Sequence, residues 1–128
     1  MTTLILVDDQ AAVRQGLRML LRLEPDLTVV GEAGDGQAAL VLAMAQHPDV
    51  VVLDLEMPGM DGVAATAALR SSVASSAVVI LSIHHDQVNR ARALAAGASA
   101  FVEKTAGIDP LLEAIRRAAA CQPTISQQ

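Results

Sequence analysis

Three aspartates, a serine and a lysine stand at the ends of short apolar runs, and together they suit the handling of a phosphoryl group with a divalent cation. Asp8 and Asp9 follow Leu4 to Val7, Asp54 closes the run that begins at Val50, Ser82 follows Val78 to Leu81, and Lys104 lies just past Phe101 and Val102. In a parallel sheet, neighbouring strand ends lie about 4.8 Å apart, so these groups reach a common point. Three carboxylates there repel: at an effective dielectric of 20, each pair about 4 Å apart costs roughly 4 kcal/mol. A cation must offset that. Carboxylates without His or Cys select a hard, oxygen-seeking ion, which describes Mg²⁺ better than zinc or copper, and such an ion normally takes a phosphate among its remaining ligands. Lys104 then supplies a point charge to one phosphoryl oxygen, the Ser82 hydroxyl a hydrogen bond to another, and Asp54 the oxygen nucleophile that carries the group. Singly, each residue has a plainer explanation as a helix cap, loop acid or solvated amine. Their joint placement at four strand ends is what points to chemistry.

Strand-like and helix-like stretches alternate five times, the pattern of a parallel sheet covered by helices on both faces. The strand at Leu4 to Val7 precedes a helix over about residues 10–23, with Val13, Leu17, Leu20 and Leu21 on one face. Arg14, Arg18 and Arg22 share its outer stripe, most simply a solvated face and otherwise a docking surface for an acidic partner. Residues 27–32 form a weaker, shorter strand suited to the sheet edge, and Asp35 and Gly36 open a helix that Pro48 stops. The apolar strand into Asp54 runs on into Pro58, Gly59 and Gly62, the loop residues that present its carboxylate, before a helix from Asp61 or Gly62 to about Arg70. Residues 77–81 form the fourth strand, His84, His85 and Asp86 the next loop, and Asp86 caps a helix over about residues 87–96 that Gly97 ends. Residues 100–103 make the fifth strand, and Asp109 with Pro110 caps a last helix over residues 111–120. Residues 122–128 are polar and aperiodic, a tail or the start of a linker.

At 128 residues and 52% apolar content the chain suits one globular domain. Phe101 is the only aromatic residue, which disfavours base stacking, and a net charge of -5 argues against an unaided grip on nucleic acid. With Cys121 as the only cysteine, an internal disulfide and a Cys-based zinc site are excluded. No apolar run approaches membrane-spanning length and Met1 leads almost directly into a strand, so the expected location is the cytoplasm, with no membrane association.

VDDQ at residues 7–10, LDLEMPGMDG at 53–62, ILS at 80–82 and AAGASAFVEK at 95–104 carry a resemblance to the response-regulator receiver domain of two-component signalling, over residues 3 to about 120. The resemblance implies a flavodoxin-like (βα)5 doubly wound parallel sheet of order 2-1-3-4-5, in accord with a weak second strand at the edge. It makes Asp54 the phosphoacceptor, Asp9 and Asp54 direct Mg²⁺ ligands, Asp8 a ligand largely through water, and the Glu56 carbonyl a further ligand. Ser82 and Lys104 take the hydroxyl and cation roles, Phe101 is the aromatic that turns inward with the hydroxyl, and Glu56 and His84 occupy rate-tuning positions. A sensor histidine kinase is the implied partner, and a homodimer is implied on phosphorylation. VRQGLRMLL at residues 13–21, with AAGASAFVEK, is similar to the NarL/FixJ (LuxR-type) subgroup, whose members usually add a C-terminal helix-turn-helix domain for DNA binding. That makes residues 1–121 the receiver and residues 122–128 a tail or linker toward an output domain absent from this sequence, the alternative being a stand-alone receiver.

Such a chain is a phosphoacceptor switch that catalyses its own Mg²⁺-dependent phosphorylation and dephosphorylation, and no enzyme toward other substrates. A haloacid-dehalogenase-like phosphatase uses similar groups, but usually has Asp where Glu56 stands and adds a cap that this length cannot hold. A flavodoxin-like nucleotide binder lacks support because no Gly-rich loop follows the first strand. A pseudo-receiver with an inert pocket is disfavoured by usable chemistry at all the pocket positions.

Overall fold

Residues 1–57, 59–83 and 87–120 are described by the computed structural model. Pro58, the loop residues His84, His85 and Asp86, Cys121 and the tail 122–128 lie outside them. Chain order is β1 (Thr2–Val7), α1 (Ala11–Leu21), β2 (Leu27–Ala33), α2 (Gly36–Gln46), β3 (Val50–Asp54), α3 (Gly62–Ser72), β4 (Ala77–Ser82), α4 (Gln87–Ala95), β5 (Ala100–Glu103) and α5 (Ile108–Ala120). All strand pairs are parallel and the sheet order is β2-β1-β3-β4-β5. The central strands β3 and β4 are buried along their whole length, which explains their unbroken apolar sequence.

Alternation along each strand divides the core in two. Ile5, Val7, Val51, Leu53, Val78 and Ile80 face one way, where Ala39 and Ala43 of α2, Ala65 and Leu69 of α3, and Ala93 of α4 meet them. Leu4, Leu6, Val50, Val52, Val79 and Leu81 face the other way, against Leu21 of α1 and Leu111, Leu112 and Ile115 of α5. This is the period-two pleat, with each fully buried Leu, Ile or Val contributing roughly 1.5–3 kcal/mol. The sheet is therefore held rigid from both faces, and its ends can position side chains.

The differences from the sequence expectation have local causes. β2 is at the edge as expected, but runs over seven residues, because Val30 is an extra residue that shifts the register between Leu4 and Ile5 and lets pairing continue to Ala33. Only Leu21 of the expected α1 face is buried; Val13, Leu17 and Leu20 line a groove with Ile108 and Leu111 of α5. α5 begins at Ile108, so Asp109 lies in its first turn instead of before it, where a carboxylate still meets the positive helix end. A short 3₁₀ turn, Lys104–Ala106, precedes it, and the sequence reading contained no such turn. Asp35 and Asp61 cap α2 and α3 through Ala38 N at 2.7 Å and Ala64 N at 2.9 Å. Gly97 has φ +113, the left-handed value expected where α4 ends.

The arginine stripe of α1 is only partly solvated: Arg22 is exposed, while Arg14 and Arg18 are paired. Arg14 Nε lies 3.2 Å from Glu32 Oε1 and Arg18 Nη1 lies 2.5 Å from Glu32 Oε2, so both reach across to β2. At the opposite end of the molecule, Arg116 of α5 donates to both carboxylate oxygens of Asp26 at 2.9 and 3.0 Å and to Glu24 at 2.7 Å.

Candidate functional site

Parallel strands deliver their last residues to one rim, and four of the five strands place a polar group there. Carboxylate oxygens of Asp8, Asp9 and Asp54 all lie within 4.8 Å of one another. Asp8 and Asp54 are buried, at 2% and 4% exposure, while Asp9 is open to solvent. Lys104, at the start of the 3₁₀ turn after β5, places its Nζ 3.1 Å from Asp8 Oδ2 and 3.2 Å from Asp54 Oδ1. The amine supplies part of the positive charge that three clustered acids require.

Asp54 is held by the loop it opens. Leu55 N donates to Leu81 O at 2.8 Å, Glu56 N donates to Asp54 Oδ1 at 3.3 Å, and Gly62 N closes the loop on Leu55 O at 2.9 Å. A Cβ on Gly62 would come within 2.7 Å of Leu55 Cα and 2.9 Å of Asp54 O, both backbone atoms, so any other residue must push the loop away. Overpacking of that kind costs about 1–3 kcal/mol.

The Ser82 hydroxyl is fully buried at the end of β4 and donates to Glu56 Oε2 at 3.3 Å. Phe101 pairs with Ile80, packs against the core while partly exposed, and accepts from Arg90 Nη1 at 3.3 Å through its carbonyl. Every described residue expected at the site is therefore at this rim or on the strand beside it. The sequence reading, which gave Glu56 a carbonyl ligand role and a rate-tuning position, missed the contact from Ser82 to its side chain.

Burial raises the Asp54 carboxyl above its usual range, with Lys104 opposing that and Asp8 adding to it. For Lys104, burial works to lower the amine, but its hydrogen bond to Asp8 and the charge of Asp54 prevail and raise it. The signs fix a pH dependence. Because folding raises Asp54 above 3.8, the folded chain binds more protons than the unfolded one in the window above that value, and stability from this group falls as pH rises through it. Lys104 acts in the same direction at higher pH: its contribution is fully present below 10.5 and is lost as pH rises through its raised folded value. Denaturant midpoints measured without divalent ions should therefore show Asp54→Asn gaining on the native chain as pH climbs from 3.8 toward neutrality. A gap that is constant across that range would contradict the assignment of strain to Asp54.

A doubly wound parallel sheet with an acidic carboxyl edge and a lysine closing over it defines an α/β protein whose ligand chemistry lies at the strand ends. The chain belongs to the response regulator receiver domain family, whose family model matches residues 4–116. The relatives it matches support the NarL/FixJ subgroup of receiver domains. It is 36% identical over 125 residues to the nitrate/nitrite response regulator protein NarL of Escherichia coli K12, a match covering 98% of this chain and 58% of that one. It is 34% identical over 128 residues to the transcriptional regulatory protein LiaR of Bacillus subtilis, covering 100% of this chain and 61% of that one. The chain thus spans about 60% of the length of these relatives. Among solved structures, the signal receiver domain of the putative response regulator NarL from Mycobacterium tuberculosis is 36% identical with a TM-score of 0.89, covering 94% of this chain and 98% of that one. A LuxR-family response regulator from Aurantimonas sp. is 34% identical with a TM-score of 0.90, covering 99% and 94%. Among the described residues, no helix is long and apolar enough to cross a membrane.

Proposed function

We propose that this receiver domain is a cytoplasmic switch that takes a phosphoryl group from the phosphohistidine of a sensor histidine kinase onto Asp54. The observation that carries the reading is the convergence of Asp8, Asp9 and Asp54 with Lys104 at one rim. The donor set fits Mg²⁺: it is all carboxylate oxygen, with one acid open to solvent where water ligands can complete the shell. Asp9, Asp54 and the Glu56 carbonyl would hold the ion directly and Asp8 largely through water. Mg²⁺ supplies charge stabilisation to the transferring phosphoryl oxygens.

The protein's own groups do the rest. Asp54, buried and fixed by its loop, presents a carboxylate oxygen in line with the P–N bond of the donor; the new O–P bond forms as that bond breaks, and the imidazole leaves with the electron pair. Lys104 turns from the carboxylates to a phosphoryl oxygen as a point charge. Ser82 leaves Glu56 to donate to another, and Phe101 moves into the space beside β4. The face formed by α4, β5 and α5 then shifts population toward an active packing, which favours a homodimer. Residues 1–121 make up the receiver and residues 122–128 its tail or linker, with DNA reached only through a separate helix-turn-helix output domain.

Incubation with acetyl phosphate and Mg²⁺ should add one phosphoryl mass to the intact chain, and chelation of the divalent ion should abolish the gain. A chain that stays unlabelled by acetyl phosphate and shows no spectral change with beryllofluoride would overturn the reading.

A further inference from the structure

Consecutive side chains of a strand point to opposite faces, so Asp8 and Asp9 can aim at one point only because the chain turns between them. The peptide plane that joins them carries the Asp8 carbonyl, and Arg14 Nη1 donates to that carbonyl from the next helix. The same guanidinium is anchored on its other side, with Nε 3.2 Å from Glu32 Oε1, and Glu32 is fixed in turn by Arg18 Nη1 at 2.5 Å. Arg14 and Glu32 are only 20% and 23% exposed, so the link is sheltered from solvent. The rest of the turn is lightly held. Gln10 N donates to Asp8 Oδ1 at 2.9 Å and Asp8 N donates to Ala33 O at 3.1 Å, but Gln10 makes no side-chain cap bond to α1.

We propose that Arg14, anchored by Glu32, is a positioning residue for the cation site, fixing the peptide between Asp8 and Asp9 so that the exposed Asp9 carboxylate joins the other two. The inference rests on the function proposed above. Geometry and charge make opposite demands here, which gives the idea its test. A guanidinium close to a cation site repels the incoming ion, so if Arg14 acted by charge alone its removal would tighten Mg²⁺ binding. If it acts by holding the turn, removal weakens binding despite the lost repulsion. Planar two-sided anchoring is also something that a lysine cannot reproduce.

Mg²⁺ titrated alone into the native chain, followed by the backbone amide signals of residues 8–10 and 54–57, measures affinity without any phosphoryl transfer. Arg14→Gln should weaken binding about tenfold, the scale seen when an outer partner of a metal ligand is lost. Arg14→Lys should fail to restore it, and Glu32→Gln, which keeps Arg14 but loosens its anchor, should weaken it in the same direction with little change in thermal midpoint. Native-like or tighter binding in Arg14→Gln, or full rescue by Arg14→Lys, overturns the positioning role and leaves the proposed function standing. A native chain that shows no Mg²⁺ response defeats both together. Where Arg14→Gln does not fold, Glu32→Gln decides alone, since unchanged affinity there is incompatible with the anchored arrangement.

Discussion

Asp54→Asn is expected to take up no stable phosphoryl group while remaining at least as stable as the native chain at neutral pH. The first half follows from chemistry: an amide offers no anionic oxygen to attack phosphorus, and an acyl phosphate cannot form on it. The second half follows from burial. Asp54 is 4% exposed and its charged form is disfavoured by its surroundings, so an uncharged isostere removes an unfavourable group while Lys104 keeps Asp8 as partner. Intact mass after incubation with acetyl phosphate and Mg²⁺ checks the first, and a denaturant midpoint checks the second. Labelling of the variant at the native level would remove Asp54 from the reaction.

Lys104→Met should separate two effects that native Lys104 combines. Methionine keeps much of the apolar stem and deletes the ammonium, so the transferring oxygens lose a preorganised charge, and uptake from a small phosphodonor should slow by about 10²- to 10³-fold. Mg²⁺ affinity should stay the same or rise, because the amine that now sits 3.1 and 3.2 Å from Asp8 and Asp54 no longer competes for those oxygens. Without divalent ions the variant should lose about 1–3 kcal/mol of stability, the scale for buried groups stripped of a partner, and added Mg²⁺ should restore much of it. Uptake at the native rate would contradict the role given to the amine.

How much of this was legible beforehand depended on whether the information is local. The strand into Asp54 could be read because its apolar run and the Gly59 and Gly62 after it are contiguous, and the edge position of β2 because its apolar signal is weak. The rim could be read because parallel strands all end on the same side, a constraint of topology that needs no coordinates. What escaped depends on pairs far apart in sequence. Periodicity told which face of α1 bears Arg14 and Arg18, but not that Glu32 of a bulged edge strand stands opposite them. The bond from Ser82 to the Glu56 carboxylate spans 26 residues, and no motif encodes a rotamer. The start of α5 was misplaced because Asp and Pro together read as a boundary, while a proline is equally tolerated within the first turn, where its missing N–H has no partner to lose.

The ring that Gly62 closes on Leu55 separates an adjustable side chain from a fixed frame. Glu56 is an exposed residue of that ring whose carboxylate reaches back to accept from Ser82, so a substitution there exchanges a side-chain contact and leaves the backbone closure that aims Asp54 in place. Gly62 has no such latitude, because a side chain there would run into the backbone of Asp54 and Leu55, so the loop tolerates variety at its apex and none at its hinge pin.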